Sequence, residues 1–172
     1  MKQLIHRLRN SAGAEIAEAA LVMPVVFVFL LGIIWFGRAF NIYSTITQAA
    51  QQGAIIAARP NCATCGNSPA SAPPVVEAVM NASSLDTTQI IAYSPSGPVF
   101  CSGSYPAGSC TTAKDNVTVC SNVQLNPPAS NQPPVCGTMV TFQYPFSFYL
   151  PFTSLNLSRV VMTAYAQSRM EN

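Results

Sequence analysis

The sequence predicts an α+β fold, in which one long N-terminal helix packs on a small antiparallel sheet. An uncharged apolar run covers residues 19–37, and an apolar stripe at helical spacing continues beyond it. The second part of the chain is rich in proline and contains short alternating segments that are typical of strands. We therefore expect a helix over residues 14–59 and a sheet domain over residues 60–172.

The apolar run from Ala19 to Gly37 predicts a transmembrane segment. At about 1.5 Å per residue it crosses most of the apolar core of a bilayer. Lys2, Arg7 and Arg9 precede it, so the positive-inside rule places the N-terminus in the cytoplasm and the rest of the chain outside. A secretory signal peptide is the alternative, but the run exceeds the apolar region of about 7–15 residues found in such peptides. We therefore expect a single-pass membrane protein.

The helical pattern continues beyond the apolar run. Apolar residues recur there at spacings of three or four: Ala39, Ile42, Ile46, Ala49, Gly53 and Ile56. Polar residues occupy the opposite face: Asn41, Ser44, Gln48, Gln51 and Gln52. This periodicity predicts one continuous helix to Ala58, ended by Pro60, whose second half packs against the domain that follows.

Two carboxylates, Glu15 and Glu18, lie at the start of this helix, where the helix dipole favours negative charge. Glu18 directly adjoins the apolar run. A lone carboxylate there costs free energy unless it is paired or protonated. Two interpretations stay open: Glu18 lies at the headgroup level without a partner, or a partner offsets its charge.

All of the cysteines follow the apolar run: Cys62, Cys65, Cys101, Cys110, Cys120 and Cys136. This placement predicts disulfides in an oxidising compartment. Proximity in sequence favours the pairs Cys62–Cys65, Cys101–Cys110 and Cys120–Cys136. The Cys62–Cys65 motif is also compatible with a redox pair or half of a zinc site. The single histidine, His6, lies on the other side of the membrane, which favours a structural disulfide.

The region after residue 60 predicts one short helix and four strands. The helix is expected over residues 74–82, and a loop over residues 95–113. The strands are expected at residues 85–94, 116–125, 139–146 and 155–166. In the third strand Val140, Phe142, Tyr144 and Phe146 share one face, which predicts a core face. Residues 148–152 continue the aromatic cluster and are the better candidate for an exposed contact.

The segment SAGAEIAEAALVMP, residues 11–24, closely resembles the start of TadE-like proteins, the pseudopilins of tight-adherence (Tad/Flp, type IVc) pilus systems. In that family a short basic leader ends in glycine, and a glutamate stands at the fifth mature position. An Ala-Leu-Val-x-Pro stretch then begins the apolar helix. The matching residues here are Gly13, Glu18 and the stretch 20–24. The resemblance implies a pilin-like fold and a leader at residues 1–13.

The resemblance also implies a mechanism and a location. A prepilin peptidase cuts between Gly13 and Ala14 on the cytoplasmic face of a bacterial inner membrane. The freed α-amine of Ala14 then meets the Glu18 carboxylate of an adjacent subunit, and Glu18 and Pro24 act in subunit assembly. The implied partners are the peptidase, other pilins and pseudopilins of the Tad system, inner-membrane platform proteins and membrane lipid.

These features favour a minor pilin or pseudopilin that assists pilus assembly, surface attachment or secretion. The alternative is a membrane-anchored extracytoplasmic adhesin or binding domain outside any pilus. An enzyme is not expected, because the sequence has no glycine-rich phosphate loop and its acidic residues are scattered. Charged residues make up 8% of the chain and form no basic face, so nucleic acid is not an expected partner. No cofactor and no metal are expected.

Overall fold

The computed structural model describes residues 11–62, 65–67, 69–101, 107–126, 133–147 and 159–170. Two helices are present there, α1 (Ser11–Ala58) and α2 (Ala72–Ala82), with short 3-10 turns at Pro69–Ser71 and Thr87–Gln89. The strands are β1 (Pro60–Cys62), β2 (Cys65–Asn67), β3 (Ser109–Thr112), β4 (Thr118–Gln124), β5 (Cys136–Phe146) and β6 (Val160–Arg169). The chain divides into two compact units, Met1–Phe40 and Asn41–Asn172.

The first unit contains the apolar part of α1. Its large apolar side chains are exposed around the whole helix, including Leu21 (75%), Phe29 (69%) and Phe36 (75%). A helix that is apolar on all sides needs an apolar environment. By length and composition, α1 is able to cross a membrane. The predicted long helix is therefore confirmed.

The second unit buries one face of the rest of α1. Ile46, Ala49 and Gly53 from the predicted stripe are buried, whereas Gln48 and Gln51 from the opposite face are exposed. These α1 residues share a core with α2 and the sheet, whose buried members include Val76, Val119, Val140, Phe142 and Ala164. The expected packing of a long helix on an antiparallel sheet is confirmed.

Helix α1 ends where the sequence predicts, at Ala58. Pro60 lacks a backbone N–H and disfavours the helical conformation of the residue before it. The Arg59 N–H donates to the Ile56 carbonyl at 3.3 Å, which closes the last turn. Helix α2 follows with proline in its first turn and buries Val76 and Met80.

Gly53 of α1 packs against α2. A Cβ atom at this position would lie 2.8 Å from Val76 Cγ2 and 3.6 Å from the Ala72 carbonyl oxygen. A side chain larger than hydrogen therefore forces Val76 or the helix backbone to shift.

We expect Gly53→Leu to destabilise the second unit by about 1–3 kcal/mol, the usual cost of forcing extra volume into a packed core. Thermal unfolding of the detergent-solubilised chain, followed by near-ultraviolet circular dichroism, measures this change. Gly37→Leu is the matched control, because it places the same side chain in the same helix with no atom within 4 Å of its Cβ. Equal midpoints for the two variants would contradict the close packing at Gly53.

The four longer strands form an antiparallel sheet in the order β3-β4-β5-β6. Strand β5 pairs with β6 over ten residues, from Gly137–Arg169 to Phe146–Val160. The β4–β5 register shifts between Cys120 and Val123, where Asn122 has a φ of 54°. Such a bulge bends the strand locally and increases its twist.

The strand predicted at residues 85–94 is wrong, and β3 takes its place as the fourth strand. Asp86 accepts hydrogen bonds from Thr88 N at 3.0 Å and Thr88 Oγ1 at 2.7 Å, so the chain turns there. These bonds, with one from Gln89, lower the pKa of Asp86 from its ordinary value. Only Ile91 pairs like a strand residue, exchanging backbone hydrogen bonds with Gln143 at 2.8 and 2.9 Å.

The predicted core face of β5 is buried as expected, and on its opposite face Thr141 and Pro145 are buried as well, whereas Gln143 is partly exposed. Val140, Phe142, Tyr144 and Phe146 are at most 5% exposed. Thr141 on the other face is fully buried, and its hydroxyl donates to the Tyr93 carbonyl at 2.9 Å. Residues 148–152, proposed from the sequence as an exposed contact, lie outside the described residues.

The predicted pairings Cys101–Cys110 and Cys120–Cys136 are wrong. The structure has disulfides Cys110–Cys120 and Cys101–Cys136, with Cα–Cα distances of 3.9 and 6.1 Å. Sheet register explains the exchange. Cys110 lies directly opposite Cys120 in the β3–β4 pair. Cys101 donates its N–H to the Asn122 carbonyl, beside the part of β4 that pairs with Cys136.

The third predicted pair is Cys62–Cys65. The β1–β2 hairpin places the backbones of these two residues opposite each other. Their side chains lie outside what the structure describes, so this disulfide stays a prediction.

Candidate processing and assembly segment

The predicted cut site lies on α1, close to Ser11, the first residue that the structure describes. Gly13 is exposed, and a Cβ placed on it would meet nothing within 4 Å. Glycine also weakens helix, which favours the extended conformation that a protease needs. Gly13 is therefore an exposed position of low helix propensity beside the predicted cut.

Glu18 lies one helical turn beyond Ala14 on the same side of α1. Its side chain is exposed, and no cation among the described residues forms an ion pair with it. Cleavage after Gly13 would leave an α-amine at Ala14, about one turn from this carboxylate. The first turns of the shortened helix would then carry one positive and one negative group beside a long apolar surface.

The comparison with protein families covers these same residues. Residues 13–54 match the family model described as TadE-like protein. This segment is TadE-like. The resemblance carried by Gly13, Glu18 and the stretch 20–24 is thereby confirmed. No curated protein and no solved structure matches the chain, and residues 55–172 lie outside the family match.

The TadE-like segment includes a proline within the helix. Pro24 has no N–H, so the carbonyl of Ala20 lacks the donor that a helix normally supplies. Helix α1 nevertheless continues through Pro24 to Ala58. The segment thus contains a backbone acceptor, at Ala20, close to Glu18 and within the apolar run.

The structure separates the predicted site residues into two groups. Gly13, Ala14, Glu18 and Pro24 follow one another on α1 in the first unit. The disulfides that the structure describes lie in the second unit. The TadE-like segment begins in the first unit and ends on the helix face buried in the second, near Gly53 and Ala54.

One contact in this segment was not predicted from the sequence. The Arg38 guanidinium carbon lies 5.9 Å from the centroid of the Trp35 ring. This distance lies within the range of a cation–π interaction. The i, i+3 spacing of the two residues on a helix is the signal that predicts the contact.

Proposed function

We propose that the protein is a minor pilin or pseudopilin of a Tad-type (type IVc) pilus. In this role it is cut by a prepilin peptidase after Gly13 and assists pilus assembly, surface attachment or secretion. The observation that carries the proposal is the TadE-like match, which begins at Gly13 and includes Glu18. The exposed Gly13 and Glu18 and the long apolar helix that follows support it.

The proposed mechanism uses the two charges that cleavage brings together. The leader positions Gly13 at the cytoplasmic boundary, and removal of the leader frees the amine of Ala14. That amine pairs with the Glu18 carboxylate of a neighbouring pilin, which offsets the cost of holding either charge within an apolar helix bundle. Platform proteins of the inner membrane would present one subunit to the next. The role is structural and assigns no catalytic residue.

The second unit supports a specialised subunit over a bare filament pilin. It carries a four-stranded sheet, a second helix and two described disulfides. A folded domain of this kind adds surface for contacts outside the membrane. This domain would also serve the alternative, a membrane-anchored adhesin outside any pilus, so the fate of the leader is the deciding observation.

We expect N-terminal sequencing of the mature protein to begin at Ala14. Gly13→Val should leave the precursor uncut. A branched side chain at the cut site obstructs the protease, and it restricts the backbone more than glycine does. Mass spectrometry of the membrane fraction distinguishes the two forms. Gly32→Val is the matched control, since Gly32 also has open space around its Cβ but lies far from the cut site. A wild-type chain that keeps Met1 would contradict the proposal.

A further inference from the structure

Arg38 is the only charged residue between Glu18 and the end of α1. It follows the apolar run directly and its side chain is exposed. Among the carboxylates that the structure describes, none forms an ion pair with it. A guanidinium at the edge of an apolar layer is stabilised by an anion, and this one has no anion from its own helix.

We propose that Trp35 and Arg38, the interfacial pair, bind the phosphate of an anionic phospholipid at the membrane boundary remote from Glu18. The proposal rests on the membrane anchor contained in the proposed function and adds to it a lipid-binding site. This site would fix the depth at which the helix lies in the bilayer.

The position of the pair along the helix supports a site at the boundary. Twenty residues separate Glu18 from Arg38, which corresponds to about 30 Å of helix. The apolar core of a bilayer is also about 30 Å thick. When Glu18 lies at one boundary, Arg38 therefore reaches the opposite one, at the depth of the phosphates.

The geometry of the pair leaves the guanidinium able to bind phosphate. The guanidinium carbon lies 5.9 Å from the ring centroid, and the five N–H donors of a guanidinium lie in its plane, where they can donate to oxygen acceptors. Two of these donors match two oxygens of a phosphate. Tryptophan favours the same depth, because its amphipathic ring is enriched at the interfaces between membrane and water.

The charge balance favours an anionic lipid over other sources of anion. A zwitterionic headgroup carries its own ammonium, which competes with Arg38 for the phosphate. A second copy of the chain lying side by side in register would place its Glu18 about 30 Å from Arg38, too far to pair. An anionic phospholipid supplies an uncompensated charge at the required depth.

The experiment uses Trp35, which is the single tryptophan of the chain and therefore the sole source of indole fluorescence. The full chain is reconstituted in phosphatidylcholine vesicles that contain brominated phosphatidylglycerol or brominated phosphatidylcholine, and quenching of Trp35 is measured. We expect the phosphatidylglycerol to associate about fivefold more strongly, the effect of about one basic residue near an anionic surface. Arg38→Gln should reduce this preference to about one, and Arg38→Lys should retain part of it.

Arg59→Gln is the matched control, because it removes the same charge from an exposed arginine just after the end of α1. It should leave the preference at about fivefold. Equal quenching by the two lipids in the wild-type chain, or an equal loss in both variants, would overturn the lipid site. Vesicle flotation separates the two proposals: a chain that floats without lipid preference refutes this site alone. A chain that does not float refutes the membrane anchor and the site together.

Discussion

Glu18→Gln is expected to abolish incorporation of the protein into an assembly with other pilins while leaving cleavage after Gly13 intact. Cleavage depends on the backbone at Gly13 and Ala14, which the substitution does not change. Assembly would lose the carboxylate that offsets the Ala14 amine. An uncompensated buried charge costs about 3–5 kcal/mol, which corresponds to a loss of more than about a hundredfold in association.

The measurement compares the processed protein in the membrane with the protein in sheared surface fibres, using quantitative immunoblots. Glu15→Gln is the matched control, since Glu15 is an exposed carboxylate on the same turns of α1. We expect its charge to interact only with the helix dipole. It should assemble normally. Normal assembly of the Glu18 variant would reduce that residue to a helix-start carboxylate at the headgroup level.

Removal of either described disulfide is expected to lower the free energy of unfolding of the second unit. In the chain-entropy description, a bridge contributes more stability when it closes a longer loop. Cys101–Cys136 has a sequence separation of 35 and Cys110–Cys120 of 10. Replacing both cysteines of the longer bridge by serine should cost about 4 kcal/mol of unfolding free energy, and replacing both of the shorter should cost about 3 kcal/mol.

Each double variant serves as the control for the other, because both remove two cysteines from the same unit. Denaturant unfolding of the full chain in detergent gives the two free energies, and peptide mapping without reduction gives the connectivity. Peptides joined as Cys101–Cys110 and Cys120–Cys136 would contradict the structure. A larger loss from the Cys110–Cys120 variant would contradict the loop-length argument.

The first part of the molecule was predictable because its signals are local. The period of the apolar stripe through Ile46, Ala49 and Gly53 depends only on helical geometry, and Pro60 ends a helix by its own chemistry. The TadE-like motif at Gly13 and Glu18 is likewise a short linear pattern, and the family match begins at the same glycine. None of these features requires knowledge of what the rest of the chain does.

The predictions from sequence were wrong where residues distant along the chain determine the local structure. Gln89-Ile90-Ile91 has the composition of a strand, but the side chain of Asp86 turns the preceding residues and one bridge to Gln143 replaces a full strand pairing. Ser109–Thr112, which lies in a segment predicted as loop, becomes a strand because β4 offers it a partner edge. Strand formation depends on such partners more than on intrinsic preference.

Sequence alone determined the long helix, its apolar run, its buried stripe and the TadE-like start, because each is encoded by residues within a few turns of one another. Tertiary structure decided the disulfide pairs and the fourth strand. Two cysteines pair when sheet register brings their Cα atoms within reach, and nearness along the chain does not control that register. For Cys120 the partner is Cys110, directly across the β3–β4 ladder, and Cys136 is left to pair with Cys101.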